Sequence, residues 1–314
     1  MRRSRQSRSA AYLTLLHKRN PMSDAPSSSL PLRTWKLTLS YDGTDFRGWQ
    51  VQPGEATIQG ELQAALGRVT GETPLPQGSG RTDAGVHALR QVASFQLAAS
   101  IPADNLHRAL NRTLPASIRV LEARTVRSTF HARHSARAKT YEYRIFRGPI
   151  CPPFLSRYVC ECRWPLDLDA LQQAAALFTG EHDFSSFAAS DPDLTTRELG
   201  DVPQPAIGGE PDSRASALAR SAVRIIFSSA WETWQTESGE LLVYRVRGNG
   251  FLHHMVRNLV GTMLDAARGQ IQIDEIKEIL AARSRSAAGP TAPARGLFLH
   301  SVEYDPDDDA AAEV

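Results

Sequence analysis

The sequence predicts an α+β fold of two similarly built halves with largely antiparallel sheets. Three observations carry this. The chain has 314 residues, more than one compact core usually holds. Stretches of strand periodicity and of helix periodicity are both present, and some strands follow one another with no helix between them. The order of elements starts again past residue 138, although no sequence repeat links the halves.

The elements follow in order. In Trp35 to Tyr41 the residues Trp35, Leu37, Leu39 and Tyr41 share one face and Lys36, Thr38 and Ser40 the other, the pattern of a half-buried strand. Ile58, Leu62, Ala65, Leu66 and Val69 fall at helical spacing, and Thr57 is placed to cap that helix. A strand is expected at Leu89 to Leu97, a short helix at Ala103 to Asn111 and a strand at Ile118 to Val126. The second half opens with a strand at Thr140 to Arg147, which sets Tyr141, Tyr143 and Ile145 on one face. Leu168, Leu171, Ala175 and Phe178 mark a helix, and Ala222 to Ser229 and Leu241 to Arg247 read as strands. Helices at Phe251 to Arg268 and Ile273 to Ala282 and a strand at Leu297 to Tyr304 complete the set. The divisions are a tail at 1–31, a first domain at 32–137, a second at 138–304 with a Pro-, Gly-, Asp- and Ser-rich surface loop at 191–216, and an acidic tail at 305–314.

Composition narrows the function classes. The net charge of +2 hides opposed ends: six Lys and Arg with no acid in the first 21 residues, and Asp305, Asp307, Asp308, Asp309 and Glu313 with no base in the last ten. A nucleic-acid site must therefore come from local clustering and not from total charge. No apolar run approaches the ~20 residues that span a bilayer. Cys151, Cys160 and Cys162 are odd in number and include no CxxC pair, so neither a disulfide framework nor a zinc site is suggested and a reducing cytoplasm fits. The basic leader, with its short apolar run Ala10 to Leu16, reads as a mis-called start upstream of Met22 or a disordered tail sooner than as a signal peptide.

One stretch concentrates chemistry: GSGRTDAGVHALRQVASF, Gly78 to Phe95. As a bare tripeptide, Asp83-Ala84-Gly85 is a turn, because Asp can bond its own backbone and Gly supplies positive φ. Arg81 and two further glycines beside it favour a second reading. Glycines let a ligand approach the backbone, and a carboxylate beside an Arg stays ionised and can act as a nucleophile. Further on, Arg257 sits among Met255, Val256, Leu259, Val260 and Met263. An Arg there must either reach solvent or pair with a carboxylate. Between Phe130 and Arg147, Arg133, Arg137, Lys139, Arg144 and Arg147 face one acid, Glu142, and are interleaved with Phe130, His131, His134, Tyr141 and Tyr143. Cations mixed with aromatics suit phosphate contact plus base stacking, although a basic run is commonly just a solvated face. His253 and His254, adjacent on the expected helix, do not face each other there and read as packing or RNA-contact residues, not as metal ligands. RGNG, Arg247 to Gly250, either offers a helix N-terminus to a phosphate or is a plain strand-to-helix turn.

GRTDAGVHA (Gly80 to Ala88) closely resembles the active-site signature of the tRNA pseudouridine synthase A family. The resemblance continues through YDGTDFRGWQ (Tyr41 to Gln50), FHARHSARAKTYEYRI (Phe130 to Ile145), FLHHMVRNLVG (Phe251 to Gly261) and APARGLFLHSVEY (Ala292 to Tyr304), roughly Leu32 to Tyr304 in all. It implies isomerisation of uridine to pseudouridine at tRNA positions 38, 39 and 40, in the anticodon arm, by a cytoplasmic homodimer with no metal and no coenzyme. It also implies a basic cleft between the halves in which Asp83 is the nucleophile, Tyr141 stacks on the target base and Arg257 pairs with Asp83. RNA contacts would come from Arg81, Phe130, His131, Arg133, His134, Arg137 and Lys139, with Arg81 filling the space that a flipped uridine vacates. Two rivals stand beside this. A non-catalytic RNA-binding protein of the same fold would have lost the motif, yet Asp83, Tyr141 and Arg257 are all present. A hydrolase pairing Asp83 with His87 would bring a metal or a Ser or Cys nucleophile motif, and no such motif is found.

Overall fold

The computed structural model describes residues 31–189, 222–308 and 310, and these form one sheet of ten strands with the helices packed on one face. The strands are β1 (Arg33–Tyr41), β2 (Gln77–Gly78), β3 (His87–Leu97), β4 (Ile118–Val126), β5 (Ala136–Arg147), β6 (Cys160–Glu161), β7 (Gly180–Asp183), β8 (Val223–Thr236), β9 (Gly239–Gly248) and β10 (Leu297–Tyr304). The helices are α1 (Ile58–Thr70), α2 (Ala103–Thr113), α3 (Leu168–Ala176), α4 (Met255–Ala267) and α5 (Glu275–Ala282). The main path across the sheet is β4-β1-β3-β10-β5-β9-β8-β7, with β2 beside β3 and β6 beside β5. Only β10–β3 and β5–β6 pair parallel, so the sheet is largely antiparallel, as the consecutive strands required.

The sheet runs unbroken through both halves. The last strand returns to lie between β3 and β5, pairing Phe298 with His87 on one side and Leu299 with Tyr141 on the other. The division drawn at residues 137 and 138 therefore falls inside β5. The tail at 1–30, the loop at 191–216 and the end of the acidic tail lie outside the described residues.

The core explains the elements. Trp35, Leu37, Leu39 and Tyr41 meet Ile58, Leu62 and Leu66 of α1 and Leu106 and Leu110 of α2, all buried. At α1, Thr57 accepts a bond from Gly60 N at 3.3 Å and Gly71 closes the helix at φ 78°, which glycine adopts without a Cβ penalty. β1 departs from the half-buried expectation: Lys36 and Thr38 are buried too. Their face is covered by a second cluster of Val92, Val126, Phe130 and Ala132, and the Lys36 ammonium lies 4.7 Å from the Tyr304 ring centre. In the second half, Tyr143 and Ile145 face the helices while Phe146 packs with Val159, Leu241 and Val243 on the reverse. The expected helix from Phe251 is shorter than its apolar pattern. It begins at Met255, because His254 takes a left-handed backbone at φ 59°, which no helix interior accommodates.

Candidate active site

Asp83 lies in the turn between β2 and β3, and the turn is fixed from three sides. Within it, Val86 N bonds Asp83 O at 3.1 Å, and Gly85 takes φ +76°. From β3, the buried Gln91 accepts from Ser79 Oγ at 2.6 Å and donates to Gly80 O at 2.9 Å. From β1, Tyr41 Oη bonds Thr82 Oγ1 at 2.8 Å. The third support is the YDGTDFRGWQ segment, where Trp49 N donates to Thr82 O at 3.0 Å. Gly48 is obligatory here: at φ +90°, a Cβ would stand 2.5 Å from Thr82 O and 3.1 Å from the Asp83 carbonyl carbon. The segment that resemblance alone singled out is thus the floor under Asp83.

Arg257, in the first turn of α4, meets Asp83: Nη1 donates to Oδ2 at 3.0 Å, and both side chains are largely buried. Its Nε donates to Ala292 O at 2.7 Å, and Ala292 N returns a bond to Arg257 O at 3.1 Å. Of the two outcomes the sequence left for this Arg, snorkelling and pairing, the geometry is pairing. Tyr141, on β5, is buried edge-on to Phe251 with ring centres 4.9 Å apart. Burial first, and then the neighbouring Tyr41 and Asp83, push its hydroxyl pKa far above the usual phenol range. It is therefore a protonated donor at neutral pH, not a base.

The cationic and aromatic residues separate into groups. Arg81 is exposed beside Asp83. Lys139 Nζ reaches Ser79 O at 2.5 Å, and a Cβ on Gly80 would stand 3.3 Å from that nitrogen and 3.9 Å from Tyr141 Oη, so Lys139 and Tyr141 flank the glycine before Arg81. Burial, then the charges of Arg133 and Arg224, bring the Lys139 pKa down to about 8. The His131 and His134 rings lie 4.3 Å apart, tilted by 46°, and His131 Nδ1 accepts from Arg133 N at 3.1 Å, so these three form one compact turn. Arg137 is exposed and tied to Asp305 at 2.6 Å, a surface pair in strong solvent screening that a phosphate can displace. Phe130 departs from the expected RNA contact. Only 4% exposed, it packs against Tyr304 at 5.1 Å as part of the second core cluster and offers no face to a base. Arg144 and Arg147 are held by Glu142 and Glu240 at 2.7 and 3.0 Å. RGNG resolves as the turn leaving a strand: Asn249 exchanges bonds with Ile225 at 3.0 Å each way, and helix α4 starts five residues after Gly250.

His87 is structural. It is buried, its Nδ1 lies 3.1 Å from Gly43 N and 3.2 Å from Asp42 Oδ1, and its Nε2 faces the Arg157 and Arg295 carbonyls at 3.1 and 3.2 Å. Burial lowers its pKa. All its bonding capacity is spent away from Asp83, which removes the His87-dependent hydrolase.

The residues that sequence reasoning misplaced are His253 and His254. They are not on the helix but in the turn before it, and both rings approach Asp83: His253 Nε2 is 3.5 Å from Oδ1 and His254 Nε2 3.4 Å from Oδ2. The rings are 3.9 Å apart. Burial, with His253, Arg257 and Arg285 nearby, lowers the His254 pKa below its ordinary 6.5 against the opposing pull of Asp83. With Asp83 these two offer three ligand atoms within 4.8 Å of one another. The donor set suits a transition metal, but the Arg257 guanidinium already neutralises the carboxylate and opposes a second cation beside it.

An aspartate set on a rigid turn, an arginine holding it and a tyrosine beside it, with cations at the rim, define the site. A family model described as tRNA pseudouridine synthase matches residues 38–135 and 209–305, and the chain belongs to that family. The relatives are specific. The chain is 47% identical over 273 residues to a protein of Solibacter usitatus named tRNA pseudouridine synthase A, covering 87% of this chain and 100% of that one. Proteins of the same name from Moorella thermoacetica (44% over 272 residues; 86% and 98% covered) and Brevibacillus brevis (41% over 273 residues; 87% and 100% covered) are similar to it along the same span.

Proposed function

We propose that this protein is a tRNA pseudouridine synthase that isomerises uridine at positions 38, 39 and 40 of the anticodon arm, with Asp83 as the nucleophile. The family and the names of its relatives support the isomerase reading. The sequence motifs support the three positions. The observation that carries the assignment of Asp83 is its 3.0 Å bond to Arg257.

The reaction breaks the bond from ribose C1′ to base N1 and forms one from C1′ to C5. C5 loses a proton, N1 gains one, and nothing is consumed. A uridine in a stem must first leave the stack, and the exposed Arg81 fills its place. Tyr141 presents a ring against the extruded base and a hydroxyl that donates. Arg257, itself anchored on Ala292 O, fixes the plane of the Asp83 carboxylate. Preorganised orientation of this kind lowers the barrier without cost at the moment of reaction. Lys139, Arg133, His131 and His134 bind the RNA backbone beside the site, as does Arg137 once it leaves Asp305. The enzyme needs no metal or coenzyme and works as a cytoplasmic homodimer, so that one tRNA touches both subunits. No helix of the described residues is long and apolar enough to cross a membrane.

The test is tritium release from anticodon-arm tRNA labelled at uridine C5, with wild type and Asp83→Ala. Wild type releases tritium and the variant does not. Release by both overturns Asp83 as nucleophile. Release by neither, with tRNA still bound, supports the non-catalytic RNA-binding alternative.

A further inference from the structure

Asp83 has more neighbours than the Arg257 pair accounts for. His253 faces Oδ1 and His254 faces Oδ2, at 3.5 and 3.4 Å. The backbone at His254 shows that this is arranged. Two non-glycine residues among those described have positive φ: Arg283 at 49° and His254 at 59°. Arg283 follows the end of α5, where a left-handed residue is the ordinary way to stop a helix. His254 precedes α4, where the ordinary residue is extended and caps the helix with its side chain. His254 is neither extended nor a side-chain cap. Helix geometry therefore does not explain its backbone, but turning the imidazole onto Asp83 does. Strain held at a site in this way points to a role there. The neighbouring His253 Nδ1 is buried with no hydrogen-bond partner, so the pair is not arranged to satisfy its own polar atoms.

We propose that His254 is a positioning residue for Asp83, held left-handed so that its neutral imidazole, with His253 and Arg257, fixes the carboxylate against rotation. This rests on the reading of Asp83 as the nucleophile. The groups that face the carboxylate are Arg257 on α4, His253 and His254 on the turn before it, and Tyr141 on β5, with Arg285 near His254. Burial lowers the His254 pKa from its ordinary value, which favours the neutral ring. Below that lowered pKa, a second positive charge joins Arg257 at Oδ2 and holds the lone pairs that the reaction needs. Wild-type turnover therefore falls as pH drops through the His254 pKa.

Two variants separate positioning from structure. His254→Gly removes the ring and also the left-handed penalty, so its thermal midpoint is unchanged or raised. Its kcat for tritium release falls about 10- to 100-fold, the scale of a misplaced catalytic group, while KM for tRNA stays within about twofold. His254→Gln puts an N–H near the position of Nε2 without a titrating ring. It recovers much of the lost kcat and makes the acid limb of the pH profile shallower. Wild-type kcat in both variants overturns the proposal. So does a kcat loss matched by a fallen midpoint and a raised KM, which is a structural role. Wild-type activity abolished by EDTA and restored by Zn²⁺ also overturns it and makes the three residues metal ligands. A wild type that releases no tritium overturns the functional reading and this inference with it.

Discussion

Replacing Arg257 by Met removes the guanidinium that holds Asp83 while keeping the apolar stem in the core. Two bonds are lost, from Nη1 to Asp83 Oδ2 at 3.0 Å and from Nε to Ala292 O at 2.7 Å. Both partners are largely shielded from water, since the side chains of Arg257 and Asp83 are 14% and 18% exposed. A hydrogen bond to a charged group contributes about 1.5–3 kcal/mol. If the whole of that bond is realised in the transition state, kcat falls roughly 10- to 150-fold at 1.36 kcal/mol per decade. The orphaned carbonyl and carboxylate lower stability as well, by about 1–3 kcal/mol. Arg257→Lys keeps the charge but has a single ammonium, which cannot serve both acceptors with the fork of the guanidinium, so it falls between wild type and Met. Single-turnover tritium release gives the rate, and thermal unfolding gives the stability. Wild-type kcat in Arg257→Met, with folding intact, refutes the reasoning, because the carboxylate would then be oriented by something else.

Three further outcomes follow from the geometry. Gly48→Ala forces a Cβ to within 2.5 Å of Thr82 O at a φ of +90°, so stability drops by about 1–3 kcal/mol and kcat falls as the Asp83 turn shifts; denaturant unfolding and tritium release check both. Phe130→Ala costs about 3–5 kcal/mol of stability and leaves KM for tRNA unchanged on the folded fraction, whereas Arg133→Ala lowers the salt slope of tRNA binding by about 1. Lys139, with its pKa brought down to about 8, carries its charge below that pH and loses it above, so wild-type KM for tRNA rises from pH 7 to pH 9. Lys139→Met starts high at pH 7 and stays flat, as a pH series of binding curves would show.

What could be read in advance was what the chain states locally. The alternation of Trp35 to Tyr41, the Thr57 cap and the spacing along α1 each depend on residues within one or two turns, and each element lies where its pattern puts it. Arg257 among apolar neighbours must either reach solvent or pair with a carboxylate, and in the structure it pairs with Asp83. The features that escaped depend on distant or torsional facts. A basic run with aromatics reads the same whether Phe130 faces solvent or Tyr304, and only the return of β10 across the sheet decides it. The alternation puts Lys36 on the polar face of a half-buried strand, and nothing near it in sequence announces the cluster that covers it. His253 and His254 were put on a helix because an apolar periodicity continues through them, and the sign of one φ angle at residue 254 is invisible to periodicity. Strands as short as Gln77–Gly78 and Cys160–Glu161 carry too few residues to show a period of two.

The central claim is tested most directly by incubating unmodified tRNA with the protein and mapping pseudouridine residue by residue through carbodiimide adducts that stop primer extension. Stops are expected at positions 38, 39 and 40 alone, present with wild type and absent with Asp83→Asn. Stops at other positions would contradict the assigned substrate site, and unchanged stops with the variant would contradict the assignment of Asp83.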